Sequence, residues 1–107
     1  MAQEISLTDA YQQWQQLDQQ PVFVDIRDSQ SFATGHIPGS RPLNNDNVAA
    51  FVQQTPAETP VVVVCYHGIS SQPAADVLQQ QGFSIVYSLQ GGFTGWQARF
   101  PDDVERS

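Results

Sequence analysis

Cys65, the single cysteine of the chain, is the residue best placed to do chemistry. It directly follows four consecutive valines, Val61–Val64, and a short loop of small and polar residues leads from it into a helical run at 71–81. A continuous run of valines is typical of a strand buried on both faces, in the centre of a parallel sheet. Open α/β sheets bind ligands at the carboxyl ends of their strands. The sequence therefore predicts a reactive thiol at such a site.

The loop between Cys65 and Ser71 has the composition of an anion-binding site. A free thiol has a pKa of about 8.5, and the dipole and unpaired N–H groups of a helix N-terminus can lower that pKa. Gly68 is small enough to let the backbone turn successive N–H groups inward, and Ser70 and Ser71 add hydroxyl donors. We therefore expect a nucleophilic sulfur surrounded by neutral hydrogen-bond donors.

Two reactions suit a thiolate in this setting, attack on phosphorus and attack on sulfur. Cysteine phosphatases need an arginine that grips the phosphoryl oxygens with two hydrogen bonds, but Ser71 stands at that position and the loop has no arginine or lysine. A persulfide formed by attack on a sulfane sulfur carries its own negative charge, which backbone donors can stabilise. The residues favour sulfur transfer over phosphatase or arsenate reductase chemistry, with an unreactive core cysteine as the structural alternative.

Other polar residues are better explained by structure than by chemistry. Cys65 and His67 are too few to form a zinc site, so we expect no metal and no cofactor. We interpret Asp25 and Arg27 as a buried polar network, because buried charges need partners, and His36 as a hydrogen-bonded structural histidine. The side chain of His67 either offers a donor to the anion or faces solvent.

Composition limits the range of functions. A chain of 107 residues predicts one domain, spanning residues 1–107. The net charge is −7, there is no lysine, and only four arginines are present, so no basic surface for nucleic acid or an anionic membrane is expected. One cysteine, no signal-peptide pattern and no long apolar run together predict a cytoplasmic protein.

Helices and strands alternate in the predicted elements that position the loop. The predicted helices cover 7–17, 28–32, 46–52, 71–81 and 93–100, and the predicted strands cover 22–27, 40–43, 61–64 and 83–87. The residues at 102–107 are polar and are expected to fray. This alternation predicts parallel strand pairing, right-handed crossovers and helices on both faces of the sheet.

Three motifs resemble those of the rhodanese (thiosulfate sulfurtransferase) family. The amino-terminal signature of the family resembles VDIRD at 24–28 with Phe32 and GHIPG at 35–39. Its six-residue active-site loop resembles CYHGIS at 65–70, and its carboxyl-terminal signature resembles GGFTGW at 91–96. These motifs stand in family order and cover nearly the whole chain, which is most similar to the small single-domain bacterial members.

The resemblance implies a fold and a reaction. It implies an α/β fold with a five-stranded parallel sheet flanked by helices on both faces. It also implies that Cys65 is the nucleophile and persulfide carrier of a double-displacement cycle, with thiosulfate as donor and cyanide, a thiol or a dithiol protein such as thioredoxin as acceptor. The residues implied to bind the persulfide are Tyr66, His67, Gly68, Ile69, Ser70 and Ser71.

Two positions depart from the family pattern. Many members carry a basic residue in or just after the loop, where this chain has Gln72, and Ile69 is unusually apolar for the mouth of an anion site. The sequence therefore leaves two alternatives, a thiosulfate sulfurtransferase and a low-turnover persulfide carrier or protein-interaction module. It also predicts that Gln72→Lys improves the KM for thiosulfate.

Overall fold

Five parallel strands position Cys65 in the computed structural model, which describes residues 2–16, 18 and 20–106. The strands are β1 (Gln3–Ile5), β2 (Val22–Asp25), β3 (Arg41–Pro42), β4 (Val61–Val64) and β5 (Val86–Leu89). Their order across the sheet is β1-β5-β4-β2-β3, and every neighbouring pair is parallel. The predicted α/β class and the five-stranded parallel sheet are confirmed.

The valine strand β4 is central because both of its faces are buried. It pairs with β2 on one side and with β5 on the other, and all four valines are inaccessible to solvent. Successive side chains of a strand point to opposite faces. Val62 and Val64 therefore pack into one hydrophobic core, and Val61 and Val63 pack into the other.

Helices cover both faces of the sheet, as predicted. They are α1 (Leu7–Gln15), α2 (Ser29–Thr34), α3 (Val48–Gln54), α4 (Ser71–Gln80) and α5 (Gly92–Arg99). Ala10 of α1 and Trp96 of α5 pack in the core with Val62, whereas Phe51 of α3 and Leu78 of α4 pack in the core with Val63. Within the described ranges, no helix combines the length and apolar character needed to cross a bilayer.

Two strand predictions need correction. The residue pattern predicts no strand at Gln3–Ile5, because an edge strand of three residues with two exposed side chains leaves little apolar pattern. The last strand was predicted at 83–87 but begins at Val86, which pairs with Val61. Phe83 instead packs against Phe51, with 5.7 Å between ring centroids, while the chain turns back from α4.

The segment after α5 is also better anchored than predicted. The indole N–H of Trp96 donates to the carbonyl oxygen of Asp103 at 2.9 Å, and the Tyr11 hydroxyl donates to the Asp103 carboxylate at 2.7 Å. The backbones of His36 and Glu105 exchange hydrogen bonds of 2.8 and 2.9 Å. Buried aromatic N–H and O–H groups need acceptors, and this segment supplies them.

Helix ends also differ from the prediction. α1 ends at Gln15, and Leu17, which was assigned to its apolar stripe, lies outside the described residues, as does Ser107. α3 begins at Val48 rather than at Asp46, because the Asn44 side chain accepts the Asp46 and Asn47 N–H groups in a turn that precedes the helix.

Candidate active site

The sulfur of Cys65 lies at the carboxyl end of β4 and is surrounded by neutral donors. The residue is 2% exposed. The backbone N–H of Gly68 donates to the sulfur at 3.1 Å and that of Ser71 at 3.2 Å, and the Ser71 hydroxyl oxygen lies 3.3 Å from it. No Lys or Arg side chain among the described residues makes a hydrogen bond to this sulfur.

These contacts favour the thiolate. Burial raises the pKa of the Cys65 thiol, but hydrogen bonds from the Ser71 hydroxyl and from the N–H groups of Ser71, Gly68 and His67 together outweigh burial and lower that pKa below its ordinary value. The fraction of thiolate at neutral pH is therefore larger than for a free thiol. The predicted nucleophile has the electrostatic environment that its chemistry needs.

The loop holds its shape because Gly68 packs directly against the turn that follows β5. Gly68 has a φ of +88°, which favours glycine. A Cβ at this position would lie 2.9 Å from both the Leu89 carbonyl oxygen and the Gly91 nitrogen. A side chain would push the loop off this turn and remove the Gly68 N–H from the sulfur.

The N-terminus of α5 fixes the other side of the loop. The N–H of Phe93 donates to the Cys65 carbonyl at 2.8 Å, and the N–H of Thr94 donates to the Tyr66 carbonyl at 3.0 Å. Gly92, with a φ of +57°, makes this close contact possible, since a Cβ there would lie 2.5 Å from both carbonyl oxygens. These bonds direct the carbonyls toward α5 and leave N–H groups to face the sulfur.

A second hydroxyl lies behind Ser71. The Ser88 hydroxyl of β5 is 2.6 Å from the Ser71 hydroxyl, and both residues are buried. Sequence reasoning did not assign Ser88 or Gly92 to the site. A signal for Ser88 was present, because a serine in an otherwise apolar strand is a polar group that needs a buried partner.

The polar residues assigned to structure do have structural partners. The Arg27 guanidinium binds the Asp25 carboxylate at 2.8 to 3.2 Å and the Gly35 carbonyl at 2.6 Å, so its charge is fully paired. His36 donates through Nδ1 to the Phe32 carbonyl at 2.7 Å, and its Nε2 lies 3.3 Å from a Glu105 carboxylate oxygen. Both structural interpretations are confirmed.

The remaining loop residues lie around the mouth of the site. Tyr66 binds the Ser31 hydroxyl at 2.8 Å and donates to the Asp28 carboxylate, which ties the loop to α2. His67 is exposed, and Ile69 is 73% exposed. In the part of the chain that the structure describes, the N–H groups of Ile69 and Ser70 donate no hydrogen bond. These two N–H groups therefore remain free to donate to a ligand.

Position 72 places an amide, not a cation, beside the loop. The Gln72 side-chain nitrogen donates to the Gly68 carbonyl at 2.9 Å and to the Glu4 carboxylate at 3.3 Å. An anion entering here meets a carboxylate at the rim of the site. Among residues 2–16, 18 and 20–106, no three His, Cys, Asp or Glu side chains cluster as a metal site would require.

Comparisons with known proteins give one consistent family. The model of the rhodanese-like domain matches residues 8–99. The chain is 50% identical over 91 residues to the thiosulfate sulfurtransferase GlpE of Pseudoalteromonas translucida strain TAC 125, covering 84% of this chain and 87% of that protein.

Solved structures agree on the fold. A rhodanese-like domain from Anabaena sp. matches with a TM-score of 0.81 at 21% identity, over 100% of this chain and 81% of that one. A Rhodopseudomonas palustris protein of unknown function, described as a possible tyrosine phosphatase, matches with a TM-score of 0.77 at 27% identity, over 92% and 81% of the two chains.

Proposed function

The chain belongs to the rhodanese family, and we propose that it is a thiosulfate sulfurtransferase in which Cys65 carries the transferred sulfur. The observation that carries this proposal is the buried sulfur of Cys65 within reach of neutral donors alone. During the proposed reaction the negative charge moves from the Cys65 sulfur to the terminal sulfur of the persulfide, one atom away. Several donors spread along a loop can stabilise the charge at both atoms, whereas a single charged group favours one position. The similarity to GlpE supports the choice of thiosulfate as donor.

The first half of the proposed cycle charges the enzyme. The Cys65 thiolate attacks the outer sulfur of thiosulfate, a new sulfur–sulfur bond forms, and the original one breaks. Sulfite leaves with the bonding electron pair, and Cys65 retains the sulfur as a persulfide anion. The N–H groups of Ile69 and Ser70, which donate no hydrogen bond within the described residues, are the proposed donors to the negative charge of the terminal sulfur.

The second half discharges it. Cyanide attacks the terminal sulfur and leaves as thiocyanate, or a thiolate acceptor attacks and leaves as a persulfide. In both cases the sulfur–sulfur bond breaks and Cys65 departs as a thiolate. Its lowered pKa assists this step, because a thiol of lower pKa is a better leaving group. Small thiols and dithiol proteins such as thioredoxin are the proposed cellular acceptors.

A phosphatase or arsenate reductase reaction fits the site less well. Those reactions need a guanidinium that can bind two oxygens of the substrate. Ser71 fills that place, with its hydroxyl oxygen 3.3 Å from the sulfur, and Arg27 is paired with Asp25. The description of the Rhodopseudomonas palustris protein as a possible tyrosine phosphatase therefore does not extend to this chain.

A low-turnover persulfide carrier is the second candidate, and the rim of the site favours it. The Glu4 carboxylate opposes a dianionic donor, and the exposed Ile69 offers an apolar contact to a protein partner. This candidate predicts that Cys65 accepts sulfur while thiosulfate saturates poorly. An ordinary thiosulfate KM would exclude it.

A single domain over residues 1–107 and a cytoplasmic location remain predictions.

Intact mass after thiosulfate treatment tests the proposal. The protein should gain the mass of one sulfur atom, lose it on addition of cyanide, and release thiocyanate. Cys65→Ser should gain no mass and release no thiocyanate, because a serine hydroxyl does not ionise to an alkoxide at neutral pH in this loop. Ser84→Ala, which removes an exposed hydroxyl far from the loop, serves as the matched control and should react like the wild type. A mass gain that persists in Cys65→Ser would contradict the assignment.

A further inference from the structure

Ser88 is a buried hydroxyl in a strand that otherwise supplies apolar side chains. It is 1% exposed and lies between Tyr87 and Leu89. Burying a hydroxyl without a partner is costly. Throughout the residues that the structure describes, its side chain makes one hydrogen bond, to the Ser71 hydroxyl at 2.6 Å. Any effect of the Ser88 hydroxyl on the site must therefore act through Ser71.

The Cys65 sulfur and the hydroxyl oxygens of Ser71 and Ser88 form a chain of two hydrogen bonds, which we call the relay. The protonation state of the sulfur decides which atom donates in each bond. A thiolate can only accept, so the Ser71 hydroxyl must donate to it across 3.3 Å. The Ser71 oxygen then accepts from Ser88, and every donor is satisfied. If the sulfur is a thiol that donates to Ser71, Ser71 must donate to Ser88, and the Ser88 proton loses its acceptor. The relay is complete only around the anion.

We propose that Ser88 is a positioning residue that orients the Ser71 hydroxyl toward the sulfur of Cys65 and so stabilises the thiolate in both halves of sulfur transfer. The proposal rests on the proposed role of Cys65 as sulfur carrier. A stabilised thiolate is present in a larger fraction when thiosulfate is attacked, and it leaves more readily when the persulfide is discharged.

Ionisable groups near the loop do not substitute for this relay. Those on the adjacent elements include Asp25 at the end of β2, Arg27 and Asp28 between β2 and α2, Tyr66 and His67 in the loop, Asp76 on α4, Tyr87 on β5 and Glu4 on β1. None of their side chains hydrogen-bonds the sulfur in the described structure, and the carboxylates and the guanidinium have partners of their own. A His67→Gln background removes the imidazole nearest in sequence from any titration of the thiol.

The test is the pH dependence of Cys65 alkylation by iodoacetamide, which requires no sulfurtransferase turnover. Ser88→Ala should raise the apparent pKa of Cys65 by about half a unit to one unit, the scale of one neutral hydrogen bond. At pH values below the pKa of the wild-type thiol, the alkylation rate should fall about three- to tenfold. Ser88→Thr keeps the hydroxyl and should restore the wild-type profile. Ser40→Ala is the control and should change nothing, because it removes another buried hydroxyl, one that finds no partner among the described residues.

A double-mutant cycle separates positioning from general packing. Ser71→Ala should raise the pKa more than Ser88→Ala does, and the double variant should match Ser71→Ala alone, because Ser88 acts through Ser71. An unchanged pKa in Ser88→Ala, or full additivity in the double variant, would overturn the proposal. Either result would leave the persulfide mass gain of the wild type intact, so failure here is distinguishable from failure of the proposed function.

Discussion

The Asp25 carboxylate and the Cys65 sulfur are buried at the carboxyl ends of neighbouring strands, and their surroundings stabilise a negative charge in two different ways. Asp25 ends β2 and is paired in the sheet with Val64, the residue before Cys65. The charge of Asp25 is neutralised by a full positive charge, that of Arg27. A negative charge on Cys65 would instead be stabilised by N–H groups and a hydroxyl, none of which carries a formal charge.

This difference indicates whether Arg27 or the donors of the cysteine loop are better suited to bind a substrate anion. Arg27 gives the hydrogen bonds of its Nε and Nη2 to Asp25 and Gly35, and its charge is balanced by the Asp25 carboxylate. The donors of the loop surround a sulfur that has no charged partner, and in the proposed sulfur transfer they would stabilise its negative charge without a counter-charge. Under this proposal, formal charge is a poor guide to which group binds the substrate. Three predictions test this comparison.

Removing Arg27 should have the largest effect, and the effect should be on stability. Arg27→Met leaves the fully buried Asp25 carboxylate without its partner, which should cost about 3–5 kcal/mol of unfolding free energy in urea denaturation. The apparent pKa of Cys65 in alkylation should stay the same, because no described contact joins the guanidinium to the sulfur.

The matched control is Arg99→Met, which removes an exposed arginine bonded to Thr8 and should cost less than about 1 kcal/mol. An Asp25→Asn/Arg27→Met double variant should recover part of the lost stability, since no buried charge is then unpaired. If Arg27→Met instead kept full stability and raised the Cys65 pKa, the two regions would not be separate and the comparison would fail.

Adding a cation at position 72 should have a smaller effect, on substrate binding. Gln72→Lys should lower the KM for thiosulfate about two- to fivefold, the range expected of an exposed charge. The nearby Glu4 carboxylate, 3.3 Å from the present amide, should pair with the new ammonium and weaken the gain. The improvement should therefore be greater in a Glu4→Gln background.

Gln80→Lys is the control, because it adds the same charge at the far end of α4 and should leave the KM unchanged. Steady-state assays at low and high salt measure the effect, which should shrink as salt rises. An unchanged or higher KM in Gln72→Lys would show that a missing charge does not limit donor binding, and neutral donors would then suffice for binding as well as for chemistry.

The smallest effect concerns an exposed anion that neutral donors also stabilise. The pKa of Asp28 is lowered from 3.8 to about 2, first by the Tyr66 hydroxyl and then by the Ser31 hydroxyl and N–H. Tyr66→Phe should return that pKa part of the way toward 3.8, and an NMR titration of the carboxyl group measures it. Tyr87→Phe is the control and should leave Asp28 unchanged.

The sign of the linked stability follows from the lowered pKa. The wild type has a stabilising contribution from ionised Asp28 above about pH 4, and this contribution is lost as the pH falls toward 2. Tyr66→Phe should show a smaller pH dependence, because only the hydrogen bonds from Ser31 and the backbone then stabilise the carboxylate. An Asp28 pKa that stays near 2 in this variant would mean that the tyrosine does not stabilise the carboxylate.

Local pattern was enough to predict much of this protein. Four valines in succession predict a strand buried on both faces, and a cysteine followed by small and polar residues predicts an anion site at its end. The absence of an arginine from the loop separates sulfur chemistry from phosphoryl chemistry, because the latter needs a bidentate cation. These inferences concern residues close together in the chain, whose relative positions follow from their spacing in the sequence.

Only the tertiary structure decided which distant groups complete the site. Ser88 reaches Ser71 because β5 pairs with β4, and Gly92 admits two carbonyls because α5 begins against the loop. Glu4 meets Gln72 because β1 adds to the edge beside β5, a strand too short to be predicted from its pattern. Hydrogen bonds act over about 3 Å. Sequence spacing cannot specify such distances between residues separated by a whole helix or strand.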